Sequence, residues 1–410
     1  MIIILDTCVL YRDLAWKSTP FCLLEDFLSK STSFLCIPGI VKDEISVKYK
    51  EKYIETHDKY AKAHRELEKL FLSGEVSTLN VEETFLADPE AYYRVFLESK
   101  LRNLYCIDFE YPATDHKTTV LRALKRMKPF DRTGKVGYRD YVLWQSVLEL
   151  ALQNPSETVV FISENTQDFC EKENTDSLAQ ELQRDMDAMN IDRNHILFYP
   201  ALSKFVDVKI KPLLENYDSI ANEDIIRGME NDNSSFYVQV NEATCNSLLG
   251  KNIDGINIEI DAFCINIIIC SIYDDIDSIS IDEVSIIDQD RLLITGTSGF
   301  VSDIEFDVLK KDVLGLKKIY FTVDVNNIDP RSEYVHAYSQ IWIRFDFDAV
   351  YDTKNGTLIS IDFNDLRNGN DDCWMCGGCD DDEDYDDTSD EQIKDIIKAL
   401  DVDPNQMSLF

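Results

Sequence analysis

No apolar run in this 410-residue chain is long enough to cross a membrane. The longest, Ile265 to Ile272, falls far below the ~20 residues of a spanning helix. A basic n-region is missing too, because the opening aliphatic stretch meets an acid at Asp6, so no secretory pattern is present. Positive charge is scarce: 41 Lys and Arg face 77 Asp and Glu, a formal net charge of −36. The shortage is uneven, with 29 basic against 39 acidic residues over 1–230 and 12 against 38 over 231–410. The second half should therefore repel nucleic acid, and any polyanion must bind the first. The acid surplus serves either solubility or partner choice and autoinhibition. Eleven cysteines are present, but Cys36, Cys106, Cys264 and Cys270 stand singly in apolar runs, where a thiol behaves as a small hydrophobe. A reduced, cytoplasmic protein without a membrane partner is expected.

The length suits two domains and a tail. Ile2 to Leu5, Phe34 to Ile37 and Thr158 to Ile162 are aliphatic runs of the kind buried on both faces of a parallel sheet, and His195 to Tyr199 supplies a fourth strand. Between them, Pro20 to Ser29, Val41 to Leu72, Tyr92 to Leu104, His116 to Met127 and Arg139 to Gln153 read as helices. Residues 1–205 are accordingly expected to form a doubly wound α/β domain. A helical connector over 206–230 follows. Phe236 to Val240, Ile256 to Ile260, Ile265 to Tyr273, Ile279 to Ile287, Leu292 to Thr295, Lys318 to Val325, Gln340 to Ala349 and Thr357 to Phe363 then suggest an all-β sandwich or barrel over 231–364. Residues 365–391 form an acidic, Cys-containing stretch expected to be a disordered linker, and 392–410 a short helix with a terminal peptide. No internal repeat is seen.

Four acids fall at ends of these elements: Asp6 closes the first strand, Glu44 enters the helix after the second, Asp140 opens a later helix behind a Gly-containing turn, and Asp168 follows the run ending at Ile162. In a doubly wound sheet such positions face one crevice. Gathered carboxylates repel and are costly to desolvate, which implies a cation between them. Each acid alone is better explained by a turn cap, a helix dipole or a solvated loop; the ordered set points to metal. Thr7 and Ser163 could orient carboxylates or water, and Asp43, Asp131 and Glu164 read as surface or supporting acids.

Through Ile3-Ile-Leu-Asp-Thr7, Ile37-Pro-Gly-Ile-Val-Lys-Asp-Glu44, Lys135-Val-Gly-Tyr-Arg-Asp140 and Phe161-Ile-Ser-Glu-Asn-Thr-Gln-Asp-Phe169, residues 1–205 resemble the PIN-domain nucleases. The resemblance is closer to a PIN-like subgroup with a long helical insertion. It implies Mg²⁺ or Mn²⁺ on Asp6, Glu44 and Asp140. Asn165 stands where the family commonly has a further Asp, so Asp168 and Asn165 are expected to complete the site. The four acids are the expected catalytic residues, because phosphodiester hydrolysis needs an activated water and relief of negative charge.

Lys117, Arg122, Lys125, Arg126, Lys128, Arg132, Lys135 and Arg139 lie just before Asp140, opposed only by Asp131. This sign reversal reads as a nucleic-acid backbone track rather than a solvated helix face. Tyr138 and Tyr141 could stack on bases, although packing is the better reading. Cys373, Cys376 and Cys379 have metal-like spacing but lack a fourth thiol, so a redox-sensitive loop or no function is favoured over a metal site. The end, Gln406-Met-Ser-Leu-Phe410, resembles the peptide that docks bacterial proteins on the DNA sliding clamp, with Gln406, Leu409 and Phe410 as contacts. The expected activity is a metal-dependent endonuclease on RNA or DNA, single-stranded by preference, with a toxin or antiphage role as one setting. The alternative is a non-catalytic nucleic-acid-binding or regulatory protein with a degenerate PIN-like site.

Overall fold

The computed structural model describes residues 1–69, 85–171, 174–216, 223–254, 256, 264–273, 275–311, 322–323 and 332–369. Cys373, Cys376, Cys379, Gln406, Leu409 and Phe410, with most of the expected linker and tail, lie outside the described residues. The chain divides into two compact units, Met1–Leu213 and Leu214–Phe410.

In the first unit the order is β1 (Ile2–Leu5), α1 (Thr7–Arg12), α2 (Thr19–Lys30), β2 (Phe34–Cys36), α3 (Gly39–Glu68), α4 (Pro89–Arg102), β3 (Cys106–Ile107), α5 (His116–Leu124), α6 (Tyr138–Gln153), β4 (Val159–Ile162) and α7 (Thr166–Phe169). It continues through β5 (Cys170–Glu171), β6 (Asn174–Leu178), α8 (Gln180–Ala188), β7 (Ile196–Tyr199) and α9 (Leu202–Phe205). Five strands form one parallel sheet in the order β3-β2-β1-β4-β7. Every residue of β1 and β4 is buried, which explains their unbroken aliphatic character. The order reverses between β1 and β4, and in sheets of this kind the crevice lies at the carboxyl ends of the strands beside that reversal. The two-residue β3 gave no sequence signal.

The second unit corrects the all-β expectation. Its strands are β8 (Glu215–Asn216), β9 (Cys264–Tyr273), β10 (Ser280–Ile286), β11 (Arg291–Leu309), β12 (Thr322–Val323), β13 (Tyr334–Asp352) and β14 (Thr357–Asn368), with α10 (Glu223–Glu230) and α11 (Ser235–Leu248) between β8 and β9. They make one hydrogen-bonded, seven-stranded antiparallel sheet built on the β11–β13 pair, with two helices in the same unit. The expected strand Phe236 to Val240 is part of α11. Ser234 caps that helix by accepting from Tyr237 N at 2.9 Å. Phe236, Val240, Thr244 and Leu248 then repeat every four residues and are buried, so tertiary packing overrides the β propensity of Phe-Tyr-Val. The expected helical connector is divided: Val206–Leu213 continues the first unit in π and 3₁₀ turns, whereas β8 and α10 belong to the second.

Candidate active site

Asp6 leaves the end of β1 and caps α1, accepting from Thr7 N at 2.5 Å through Oδ1. Its other oxygen, Oδ2, accepts from Ser163 Oγ at 2.5 Å and from Cys8 Sγ at 3.3 Å. Ser163 follows β4, so two adjacent parallel strands deliver this contact directly. Asp140 sits in the first turn of α6, which begins at Gly137 with φ 113°. A Cβ on Gly137 would lie 2.5 Å from Pro129 O and 2.7 Å from Phe130 Cα, so this entry into the helix requires glycine. Asn165, at the start of α7, donates through Nδ2 to Asp140 Oδ1 at 3.1 Å and to Asp168 Oδ2 at 2.9 Å. Where a fourth carboxylate would add repulsion, the amide joins two existing ones.

Glu44, in α3, is placed differently. Thr7 Oγ1 donates to its Oε2 at 3.0 Å, while Oε1 meets Arg139 Nη1 at 2.5 Å and Lys48 Nζ at 3.4 Å. Asp6, Asp140 and Asp168, in contrast, have no Lys, Arg or His partner among the described residues. Burial raises the Asp6 carboxyl above its ordinary range, and the Glu44 charge adds to the rise against hydrogen bonds from Ser163, Cys8 and Thr7. Asp140 is pushed up to about 6, first by burial and then by Asp6 and Asp168. No group of three or more His, Cys, Asp or Glu side chains is arranged to hold a metal ion among the described residues. The acids are neighbours held apart by protein hydrogen bonds rather than a closed cage.

The basic segment separates into two kinds of cation. Arg122 is buried: Nε donates to Lys128 O at 2.7 Å, Nη1 meets Asp185 Oδ1 at 2.8 Å, and the guanidinium lies 5.3 Å from the Tyr141 ring centroid. Arg122, expected on the backbone track, is instead tied into the fold. Lys128 Nζ turns inward to Gln167 O, at 2.9 Å, and to Cys170 O. Lys117, Lys125, Arg126, Arg132 and Lys135 are exposed and form no ion pair among the described residues. Asp131 spends its carboxylate inside its own loop, on Thr133 Oγ1 at 2.7 Å, Lys135 N at 3.0 Å and Val136 N at 3.1 Å, which holds its carboxyl down to about 2.

Two participants escaped the sequence reading. Cys8 lies against Asp6 and Ser163 and is pushed up to about 12, chiefly by burial and then by Asp6, so the thiol stays protonated and serves as a donor. Only its place in the first turn after a capping acid hinted at this. Asp185 ties Arg122 to Trp144 Nε1, at 2.9 Å, and carries no local motif.

Among the described residues, no helix is long and apolar enough to cross a membrane. No curated protein and no solved structure matches the chain. Residues 3–169 match the family model of the PIN domain, whose members are generally nucleases and typically use divalent metal ions. The match supports a member of the PIN-domain superfamily in the part of the chain that builds this crevice.

Proposed function

We propose that the first unit hydrolyses phosphodiester bonds of single-stranded RNA or DNA internally, with Mg²⁺ or Mn²⁺ as cofactor. The observation that carries this reading is the group Asp6, Asp140 and Asp168 at the β1/β4 crevice, with two carboxyls raised by burial and no cation beside them. The donor set fits a hard divalent ion, since every free ligand atom is a carboxylate or amide oxygen. Asp6, Asp140 and Asp168 would hold it, with Asn165 supporting them and Glu44 joining once Arg139 is displaced. When bound, such an ion acidifies water and offsets phosphate charge. Ser163 and Thr7 N orient Asp6, and Asn165 fixes one oxygen of Asp140 and one of Asp168. Lys117, Lys125, Arg126, Arg132 and Lys135 supply backbone-binding charge, and Arg139 would join them. Cleavage of RNA and DNA panels should stop with EDTA and with Asp6→Asn; full activity in that variant would refute the assignment.

A second reading, a nucleic-acid-binding protein without catalysis, is favoured by the Arg139–Glu44 contact and by Asn165 in place of an acid. Calorimetric titration with Mn²⁺ separates the two, because absence of binding in the crevice supports the second. For the terminal peptide we propose docking on a bacterial sliding clamp. Loss of clamp binding after deletion of 406–410 tests it. A toxin or antiphage setting predicts growth arrest on expression, relieved by Asp6→Asn.

A further inference from the structure

Two exposed tyrosines border the acid cluster. Tyr11, in α1, is 40% exposed, and Tyr138, two residues before Asp140, is 50% exposed. Neither ring packs on another aromatic ring among the described residues, whereas the neighbouring Tyr141 is buried against Phe130 and Arg122. Contacts run from Tyr11 as far as Arg139, and Tyr138 is the residue before Arg139 on α6. Lys48 Nζ lies 5.7 Å from the Tyr11 ring centroid and 3.4 Å from Glu44 Oε1. Arg139 Nη1 lies 2.5 Å from the same oxygen, and Arg139 follows Tyr138 in the first turn of α6. Tyr11, Lys48 and Arg139 thus gather around Glu44, and Tyr138 adds an exposed ring at the adjoining start of α6.

We propose that this group seats a single-stranded nucleic acid, with bases stacked on Tyr11 and Tyr138 and a phosphate between them on Lys48 and Arg139. The proposal rests on the nucleic-acid reading above and adds how the strand is selected. An aromatic face accepts any base, and alternation of aromatic and cationic side chains suits a backbone whose bases are free to splay. A duplex keeps its bases paired and stacked on one another, so it gains only the cationic half of the group. Glu44 aligns Lys48 and Arg139 until a phosphate takes its place as their anion. Tyr11 and Tyr138 are therefore substrate-positioning residues that determine strandedness.

The test is fluorescence anisotropy of labelled oligouridylate, oligothymidylate and a duplex of equal length, in EDTA, with the full chain. Tyr11→Ala and Tyr138→Ala should each weaken single-strand binding roughly tenfold, while Tyr→Phe at either position stays close to wild type and duplex binding is unchanged. An abasic strand should bind the alanine variants and wild type alike. Wild-type affinity in both alanine variants, equal losses on duplex and abasic strands, or no single-strand binding by the wild type would each overturn the seat. Thermal unfolding of the Phe and Ala variants confirms that the fold is retained. Cleavage with Mn²⁺ is scored separately. Tyrosine-dependent binding without cleavage keeps the seat and removes the nuclease reading, and cleavage without tyrosine dependence does the reverse.

Discussion

The two sheets treat their acids in opposite ways. In the second unit Asp303, Glu305 and Asp307 share one face of β11, and each has a local partner. Asp303 accepts from Ser271 Oγ at 3.0 Å and from the Tyr273 hydroxyl; Asp307 accepts from Asn266 Nδ2 at 2.8 Å and lies 3.1 Å from His336 Nδ1; Glu305 lies 3.6 Å from His336 Nε2. An antiparallel sheet with one face outward lets such acids keep water and neighbours. The parallel sheet has no outward face, so Asp6 and Asp140 sink into its carboxyl edge, where donors reach them but cations do not. Dehydrated like charges without a counter-ion oppose folding. The difference teaches that acid content alone marks nothing, whereas acid left uncompensated marks the place for a ligand.

The largest effect expected from this contrast is on cleavage. Asp6→Asn and Asp140→Asn should each lower metal-dependent cleavage by more than roughly a hundredfold if the proposed ion is held there. Asp303→Asn should leave it within about twofold. Equal losses at both sheets would break the comparison. Stability should move the other way. Because the Asp140 carboxyl in the fold titrates near 6, above its ordinary 3.8, the fold favours its neutral form. That contribution is complete below about pH 4 and is lost as pH rises through 6, so ionised Asp140 costs on the order of 3 kcal/mol near pH 7. Asp140→Asn should therefore stabilise the metal-free protein near pH 7 and give little gain near pH 4, as read by urea unfolding in EDTA. Destabilisation at both pH values would place a compensating cation beside Asp140.

A smaller and opposite change is expected in the second unit. Asp307→Ala removes the acceptor of Asn266 and the contact with His336, and should cost roughly 1 kcal/mol. No loss at all would mean that the partners on this face are incidental, and the contrast between the sheets would then rest on burial alone.

The acids of the first unit were legible because a strand end is a local signal: Ile-Ile-Ile-Leu-Asp places Asp6 wherever β1 pairs. What holds each acid is only partly local. Cys8 is two residues from Asp6, but Ser163 reaches Asp6 and Asn165 reaches Asp140 across long sequence gaps, and Arg139 meets Glu44 from a different helix. Strand lengths failed for a related reason. Leu292 to Thr295 is read as short because Gly296 and Gly299 follow it, yet β11 continues to Leu309. A Cβ at Gly296 would lie 2.8 Å from the Phe347 ring, and one at Gly299 would lie 2.7 Å from Trp342 Nε1. Those glycines admit aromatic rings from β13 instead of ending the strand, a distinction that depends on the cross-strand partner.

The smallest expected effect concerns the exposed cations, and it extends the same contrast to positive charge. Arg122 is buried and held by Asp185 and Lys128 O, so turning it toward a phosphate would break those bonds. Lys135 is exposed, and the loop that carries it is closed by Asp131, which accepts from Lys135 N and Val136 N while Asp131 N donates to Val136 O. The only acid of the basic segment is thereby turned to holding the loop, and Lys135 remains available to the strand. Lys135→Gln should weaken single-strand binding modestly and uniformly across sequences, and should reduce the slope of log affinity against log salt by about 0.7, one counter-ion's share. Titrations of wild type and variant across a range of salt measure this directly. An unchanged slope would remove Lys135 from the strand's path and leave the phosphate contacts to the other exposed cations.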